Sequence, residues 1–344
     1  YFIKIDFLNS LDLKLKDARF RLRGSIEPDG RVFIVAIDSK SVDQLGRWPW
    51  DRKIIARIIE KLGNVKVIAI DIVFSETSNK ESDRALSIAI NKPNIIAGYY
   101  FREEQTEINP DSYINLRNSK IKIIKTSGNI EAIPVREFPY AELNISSIKA
   151  EAGFFNITPD NDGVYRRMNL VAIYNEEIYP HLALKTMEKF LNKPLIVEIA
   201  SYGVETIKIG NETIPVDETG ILTINYYGKG GSIKTVSAVD IIDGKVSLPE
   251  DAIVFIGATE MGIADIRATP FDPVMPGVEI SATVVSNILK KDYLKYNSWV
   301  ELIDILFIVL STLILSLILI KANRTFICLS IFVVMLFLIY SLNI

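Results

Sequence analysis

Two long apolar runs near the C-terminal end constrain this chain more than any other feature. Leu302 to Ile320 reads LIDILFIVLSTLILSLILI, with Asp304, near its start, as the only charge; Thr325 to Leu342 carries none. At roughly 18–20 residues each, both are long enough as helices to cross a hydrocarbon core about 30 Å thick. Backbone groups in lipid must pair within their own segment, which favours two helices, and a soluble helical hairpin of this length would show a polar stripe. The expectation is a transmembrane helical hairpin, with helices at 301–320 and 325–344.

The connection Lys321-Ala322-Asn323-Arg324 carries two positive charges, which the positive-inside rule places in the cytoplasm. Residues 1–298 are then expected on the extracytoplasmic side of a multi-pass inner-membrane protein. Tyr296, Trp299 and Tyr340 sit where an outer aromatic belt would be. The second span would return to the outer face at Ile344, so inward signalling would need a further span. Residues 1–23 read as a membrane-proximal helix, with Tyr1-Phe2-Ile3 as the end of an upstream span.

The remainder is long enough for a sizeable core. Among 344 residues, 39 Lys and Arg face 42 Asp and Glu, a net charge of -3 that leaves no basic footprint for nucleic acid. Cys328, the only Cys, lies in the second apolar run. That excludes disulfides, a Cys-based zinc site and a Cys nucleophile from the folded part.

Along residues 7–22, Phe7, Leu11, Leu15, Ala18 and Leu22 recur at helical spacing until Gly24. Arg31 to Ile37 (RVFIVAI) is a nearly continuous apolar run, as expected of a strand buried on both faces. Pro49 and Asp51 start a helix whose buried face is Ile54, Ile55, Ile58, Ile59 and Leu62, with Gly63 at its end. Strand 65–74, helix 81–90 and strand 94–99 follow. This alternation predicts a mostly parallel central sheet with flanking helices. Short β segments from 101 to 227 read as a β-rich insertion, with 153–158 and 164–174 as a hairpin about the turn 159–163 and 179–191 as a helix. Strand 252–258 and a helix over 278–289, running on towards the first apolar run, complete an α/β domain spanning 24–298.

Chemistry concentrates after the apolar strands. Asp38 ends one strand and Asp71 interrupts another; Thr259, Glu260 and Asp265 follow a third. Residues beyond the carboxyl ends of neighbouring parallel strands converge on one crevice, so Asp38, Asp71, Glu76, Thr259 and Asp265 are candidates for one ligand site. Trp48-Pro49-Trp50 offers two aromatic walls beside it, and Arg52 a cation. Carboxylates gathered this closely need a cation. A divalent metal ion on Asp38, Asp71 and Asp265 is one candidate, a cationic ligand another, and a structural network with Arg47, Arg52 and Arg267 a third.

No catalytic residue is assigned. Asp160-Asn161-Asp162-Gly163 lacks the later Glu of a calcium loop and reads as a turn. Gly228-Lys229-Gly230-Gly231 lacks the phosphate-loop spacing. His181, the only His, reads as structural.

Taken together, RFRLRG (19–24), VFIVAIDSKSVDQLGRWPWDR (32–52), IAIDIVFSE (68–76), GFFNITPDNDGVYRR (153–167), NYYG (225–228), IVFIGATEMGIADIRATP (253–270) and PGVEISATVVSNIL (276–289) resemble the type-2 CHASE domain. That family is a sensory ectodomain of bacterial transmembrane receptors, and the likeness covers roughly residues 17–290. The resemblance implies an extracytoplasmic domain relaying a stimulus through membrane helices. The output lies outside this chain: foremost a class III adenylate cyclase, otherwise a kinase or diguanylate cyclase. It implies a membrane partner, an unknown small ligand or ion, and a homodimer, since many such outputs work as dimers. The rival expectations are an anchored binding or scaffold module without output, and an extracytoplasmic metal-dependent hydrolase using the carboxylates.

Overall fold

The computed structural model describes residues 6–105, 109–126, 133–294, 298–319 and 332. The chain divides into two compact units: Phe20–Tyr293, and a smaller one made of Tyr1–Arg19 with Leu294–Ile344. Helix α1 (Asp6–Arg23) closes at Gly24, whose φ of 76° suits a residue without a Cβ.

The larger unit is built on the apolar runs. Strands β1 (Val32–Ile37), β2 (Val67–Ile70) and β3 (Ile95–Arg102) are linked by α2 (Ser39–Leu45), α3 (Arg52–Leu62) and α4 (Lys80–Ile90). Helix α5 (Pro110–Arg117) leads to β4 (Ile123–Thr126), and then come β5 (Tyr140–Glu142), β6 (Glu151–Phe154), β7 (Arg167–Asn169), β8 (Val171–Tyr174) and β9 (Glu177–Pro180). Helix α6 (Leu182–Leu191) precedes β10 (Leu195–Ala200), β11 (Gly203–Ile209), β12 (Glu212–Ile214) and β13 (Ile221–Thr223). Strand β14 (Lys234–Ser237), helix α7 (Ala238–Ile242), β15 (Ile253–Ala258), the short pair β16 (Ile266–Arg267) and β17 (Met275–Pro276), and α8 (Gly277–Lys290) close the unit.

The central sheet runs β14-β1-β15-β2-β3-β5, with β6 also on β3. All its pairings are parallel except β3 with β5. Alternation along β1 shows why its sequence is apolar throughout. Val32, Ile34 and Ala36 enter one core, whereas Phe33, Val35 and Ile37 enter the other. Helices α6 and α8 pack on the first face, and α4 and α7 on the second, with α3 packed between those two. A second sheet, β12-β11-β10-β4, borders the first core.

Four expectations need correcting. The first is the transmembrane hairpin. Ser298–Leu319 is a helix, α9, yet among the described residues no helix is long and apolar enough to cross a membrane. With Glu301 and Asp304 in its first turns, the uncharged stretch among the described residues runs from Ile305 to Leu319, about 22 Å of helix, against a hydrocarbon core about 30 Å thick. The second run at 325–342 (residue 332 apart), the 321–324 loop, Tyr1-Phe2-Ile3, Tyr296 and Tyr340 lie outside the described residues. The fold class the structure supports is a mixed α/β fold with several sheets.

Second, residues 153–174 form no hairpin: β6 joins β3, β7 pairs with β13, and β8 pairs with β9. The turn between them exists, but it serves charge pairing. Asp160 takes hydrogen bonds from Arg166 and Arg167, and Asp162 from Arg166. Third, the helix expected from 179 begins at Leu182, because β8 captures the residues up to Pro180 as a strand. Fourth, α8 stops at Lys290, where Lys291 turns left-handed at φ 57°.

Candidate functional site

A cavity of about 460 Å³ opens beyond the carboxyl ends of β15 and β2. The segment after β2 supplies Asp71 to Glu76, and the segment after β15 supplies Ile263 and Asp265. Trp48, Pro49, Trp50 and Arg52 close one side, Phe155 and Ile157 another, and Gly277 and Val278 of α8 complete the wall. That volume falls in the range of small-molecule sites.

The aromatic side is held rigidly. Trp50 is buried, donates Nε1–H to the Gly46 carbonyl at 2.6 Å, and meets Trp48 edge-on with centroids 5.4 Å apart across a cis Trp48–Pro49 bond. Trp48 is half-buried. Asp51 caps α3 and also accepts from the Ser82 hydroxyl at 2.7 Å, fastening this loop to α4. Arg52 is already engaged: it pairs with Asp83 and donates to the Glu76 carbonyl, with Phe74 beneath it at 5.7 Å.

Asp71 stands apart. Its backbone N–H donates to the Ile256 carbonyl at 2.8 Å, but its carboxyl makes no hydrogen bond or ion pair among the described residues. Desolvation at the cavity wall, then the Asp265 charge nearby, pushes its pKa up to about 7, with Arg267 opposing. Asp265 is largely exposed and paired with Arg267, whose other nitrogen donates to the Tyr165 hydroxyl. Gly257 sits where a Cβ would come within 2.7 Å of Val278, so α8 presses directly on the end of β15.

Of the eight residues expected to share one site, six line this cavity: Trp48, Trp50, Arg52, Asp71, Glu76 and Asp265. Asp38 and Thr259 do not. Asp38 caps α2 through the Ser41 N–H at 2.9 Å and accepts from the Ser237 hydroxyl, which turns it towards β14. Thr259 anchors its segment by donating its N–H to the Ile37 carbonyl at 3.1 Å. Among the described residues no group of three His, Cys, Asp or Glu side chains is placed to hold a metal ion. The trio of Asp38, Asp71 and Asp265 is not brought together at the cavity. His181 is wholly buried as the cap of α6, its Nδ1 accepting from the Ala183 N–H at 3.1 Å.

Sequence reasoning missed a second polar cluster at the far end of α8. Asn287 accepts from the Asn225 N–H at 3.0 Å and donates to the Asn225 carbonyl, the Tyr227 hydroxyl and Asp292. Tyr227 donates to Asp292 at 3.0 Å, and Asn225 donates to the Asp292 carbonyl at 2.7 Å. Arg23 reaches the Asn225 side chain and the Tyr226 carbonyl. Arg23 and Asp292, near the two ends of the larger unit, are thus clasped to one segment, 225–227. Buried groups that satisfy one another across elements fix a single geometry. The one sequence signal for it is a pair of Asn residues inside otherwise apolar stretches. Helix α8 therefore touches the cavity with its first turn and the clasp with its last.

A family model described as the CHASE2 domain matches residues 2–316. No curated protein and no solved structure matches.

Proposed function

Because the chain belongs to the CHASE2 domain family, a family of sensory extracellular domains of receptors, we propose that the cavity receives the stimulus and that α8 carries the response to the clasp. The observation that carries this reading is the position of α8, with Gly277 and Val278 in the cavity wall and Asn287 within the clasp. A rod of 14 residues, about 20 Å long, moves as one body when its first turn is displaced. A stimulus that fits the cavity differently in two arrangements of α8 shifts the balance between them.

On this reading the receptor is associated with the cytoplasmic membrane, holds this domain on the outer side, works as a homodimer and does not bind nucleic acid. Its output is foremost a class III adenylate cyclase, otherwise a kinase or diguanylate cyclase, carried by another part of the receptor. The test is a cavity-filling substitution, Ile263→Trp, in the complete receptor. It should fix the basal output at one extreme and abolish further response. Output indistinguishable from wild type would remove the cavity from the signalling path.

A further inference from the structure

The charges and surfaces of the cavity identify a chemical class of ligand. We propose that it binds a small organic cation, a protonated amine on an apolar or aromatic body, with Asp71 as counter-ion and Trp48 as the aromatic face. This rests on the reading of the cavity as the stimulus site.

The charged side chains around Asp71 are Arg52 of α3, Glu76 after β2 and Asp265 after β15, which line the cavity with it, and Arg267, which acts on its charge. The two cations are spent. Arg52 is tied to Asp83 and the Glu76 carbonyl, and Arg267 to Asp265 and Tyr165. An anionic ligand would meet no free guanidinium and would face Asp71, Glu76 and Asp265. Asp265 is already paired and its side chain is 61% exposed, so solvent screens it. Asp71 is the one desolvated, unpaired charge, and a desolvated carboxylate is stabilised most by a cation brought to it.

A metal ion fits poorly, because it needs several oxygen ligands at short range and the described residues gather no such set. The cavity is also far larger than an ion, and much of its wall is apolar: Ile55, Phe74, Phe155, Ile157 and Val278. An organic body fills that space while its ammonium group reaches Asp71. Trp48 is held edge-on by Trp50 and is the half-exposed member of the pair, so it can cover a cation, a contact in which Trp is the best of the aromatic side chains.

The test is calorimetric titration of the full chain with a panel of amines (phenethylammonium, butylammonium and a diammonium) against phenylpropionate and phenethyl alcohol of similar shape. At least one amine should bind, and Asp71→Asn should weaken it by about tenfold or more. Wild-type affinity should fall about tenfold from pH 8 to pH 6, as Asp71 takes up its proton. Thermal melting checks that Asp71→Asn remains folded. If no amine in the panel binds at millimolar concentration, or if phenylpropionate binds more tightly, the assignment is overturned.

Amide hydrogen exchange over 284–292 separates the two proposals. An Asp71-dependent amine that leaves the clasp unchanged preserves the ligand class and ends the relay. An anion that alters the clasp does the reverse.

Discussion

The two ends of α8 differ in how their polar groups are treated. At the clasp, Arg23, Asn225, Tyr227, Asn287 and Asp292 hydrogen-bond one another. At the cavity, Asp71 has no such partner, while its neighbours Arg52 and Arg267 are bound elsewhere. A network whose members are all paired fixes geometry; a carboxyl left unpaired beside an open volume costs stability and is available for binding. The difference separates a part that holds from a part that receives.

The largest effect should come from breaking the holding part. Asn287→Leu keeps the helical volume but strands the Asn225 N–H and carbonyl and removes partners from Tyr227 and Asp292. Four such losses at about 1 kcal/mol each predict about 4 kcal/mol of destabilisation, read from urea unfolding. A loss below about 1 kcal/mol would mean that the clasp is not a structural unit.

The receiving part should respond with the opposite sign. Asp71 has its folded pKa raised to about 7 from an unfolded value of 3.8, so the folded state favours its proton. The associated stability is present in full below the unfolded pKa and is lost as pH rises to 7. Asp71→Asn, which never ionises, should therefore be more stable than wild type at pH 8, by about 4 kcal/mol, with the gap closing towards pH 4. A variant less stable than wild type at pH 8 would contradict an unpaired carboxylate here.

How much of this contrast was legible beforehand follows from what each end is made of. The central strands announce themselves because burial on both faces needs uninterrupted apolar runs, as in Val32–Ile37 and Ile253–Ala258. The cavity was legible through the same runs, since Asp71 and Asp265 follow strand ends and Trp48 precedes a capped helix. Asp38 shares that sequence position but not the place, because whether a side chain leans towards β14 or β15 depends on strand order. The clasp joins residues 23, 225, 287 and 292, and contacts that far apart leave no periodic trace. The 153–174 segment misled for a related reason: a turn between two β segments looks the same whether they pair with each other or elsewhere. In the C-terminal run, Asp304 was visible, but its place in the first turns of the helix, beside Glu301, sets how much uncharged helix follows it among the described residues.

A second titrating group sharpens the comparison. Buried His181 has its folded pKa lowered to about 3 by desolvation, so its stabilising contribution is present above pH 6.5 and is lost as pH falls. From pH 7 to pH 5 this costs about 2 kcal/mol. Asp71 changes by a similar amount with the other sign over the same interval, and buried Glu279, also raised, adds to Asp71. Wild-type stability should therefore not fall between pH 7 and 5, while Asp71→Asn should lose about 2 kcal/mol relative to wild type over that acidification. His181→Asn, which keeps a capping oxygen, should instead gain stability towards pH 5. Parallel slopes in all three proteins would show that neither group governs the profile.

The smallest effect concerns the residue that sequence placed in the cavity and the structure did not. Asp38 spends its carboxylate on the Ser41 N–H and the Ser237 hydroxyl, and these bonds hold its pKa below the usual carboxylate range despite partial burial. Asp38→Ala removes a helix cap and should cost about 1 kcal/mol. It should leave amine affinity within about twofold of wild type, because no part of Asp38 lines the cavity. Measured beside Asp71→Asn, it compares two aspartates that each follow an apolar strand and differ only in what meets them there. Stability should fall and binding persist for one, and the reverse for the other. Loss of binding in both variants would mean that the strand ends act as a single charged surface, and the division between holding and receiving parts would then have to be redrawn to include α2.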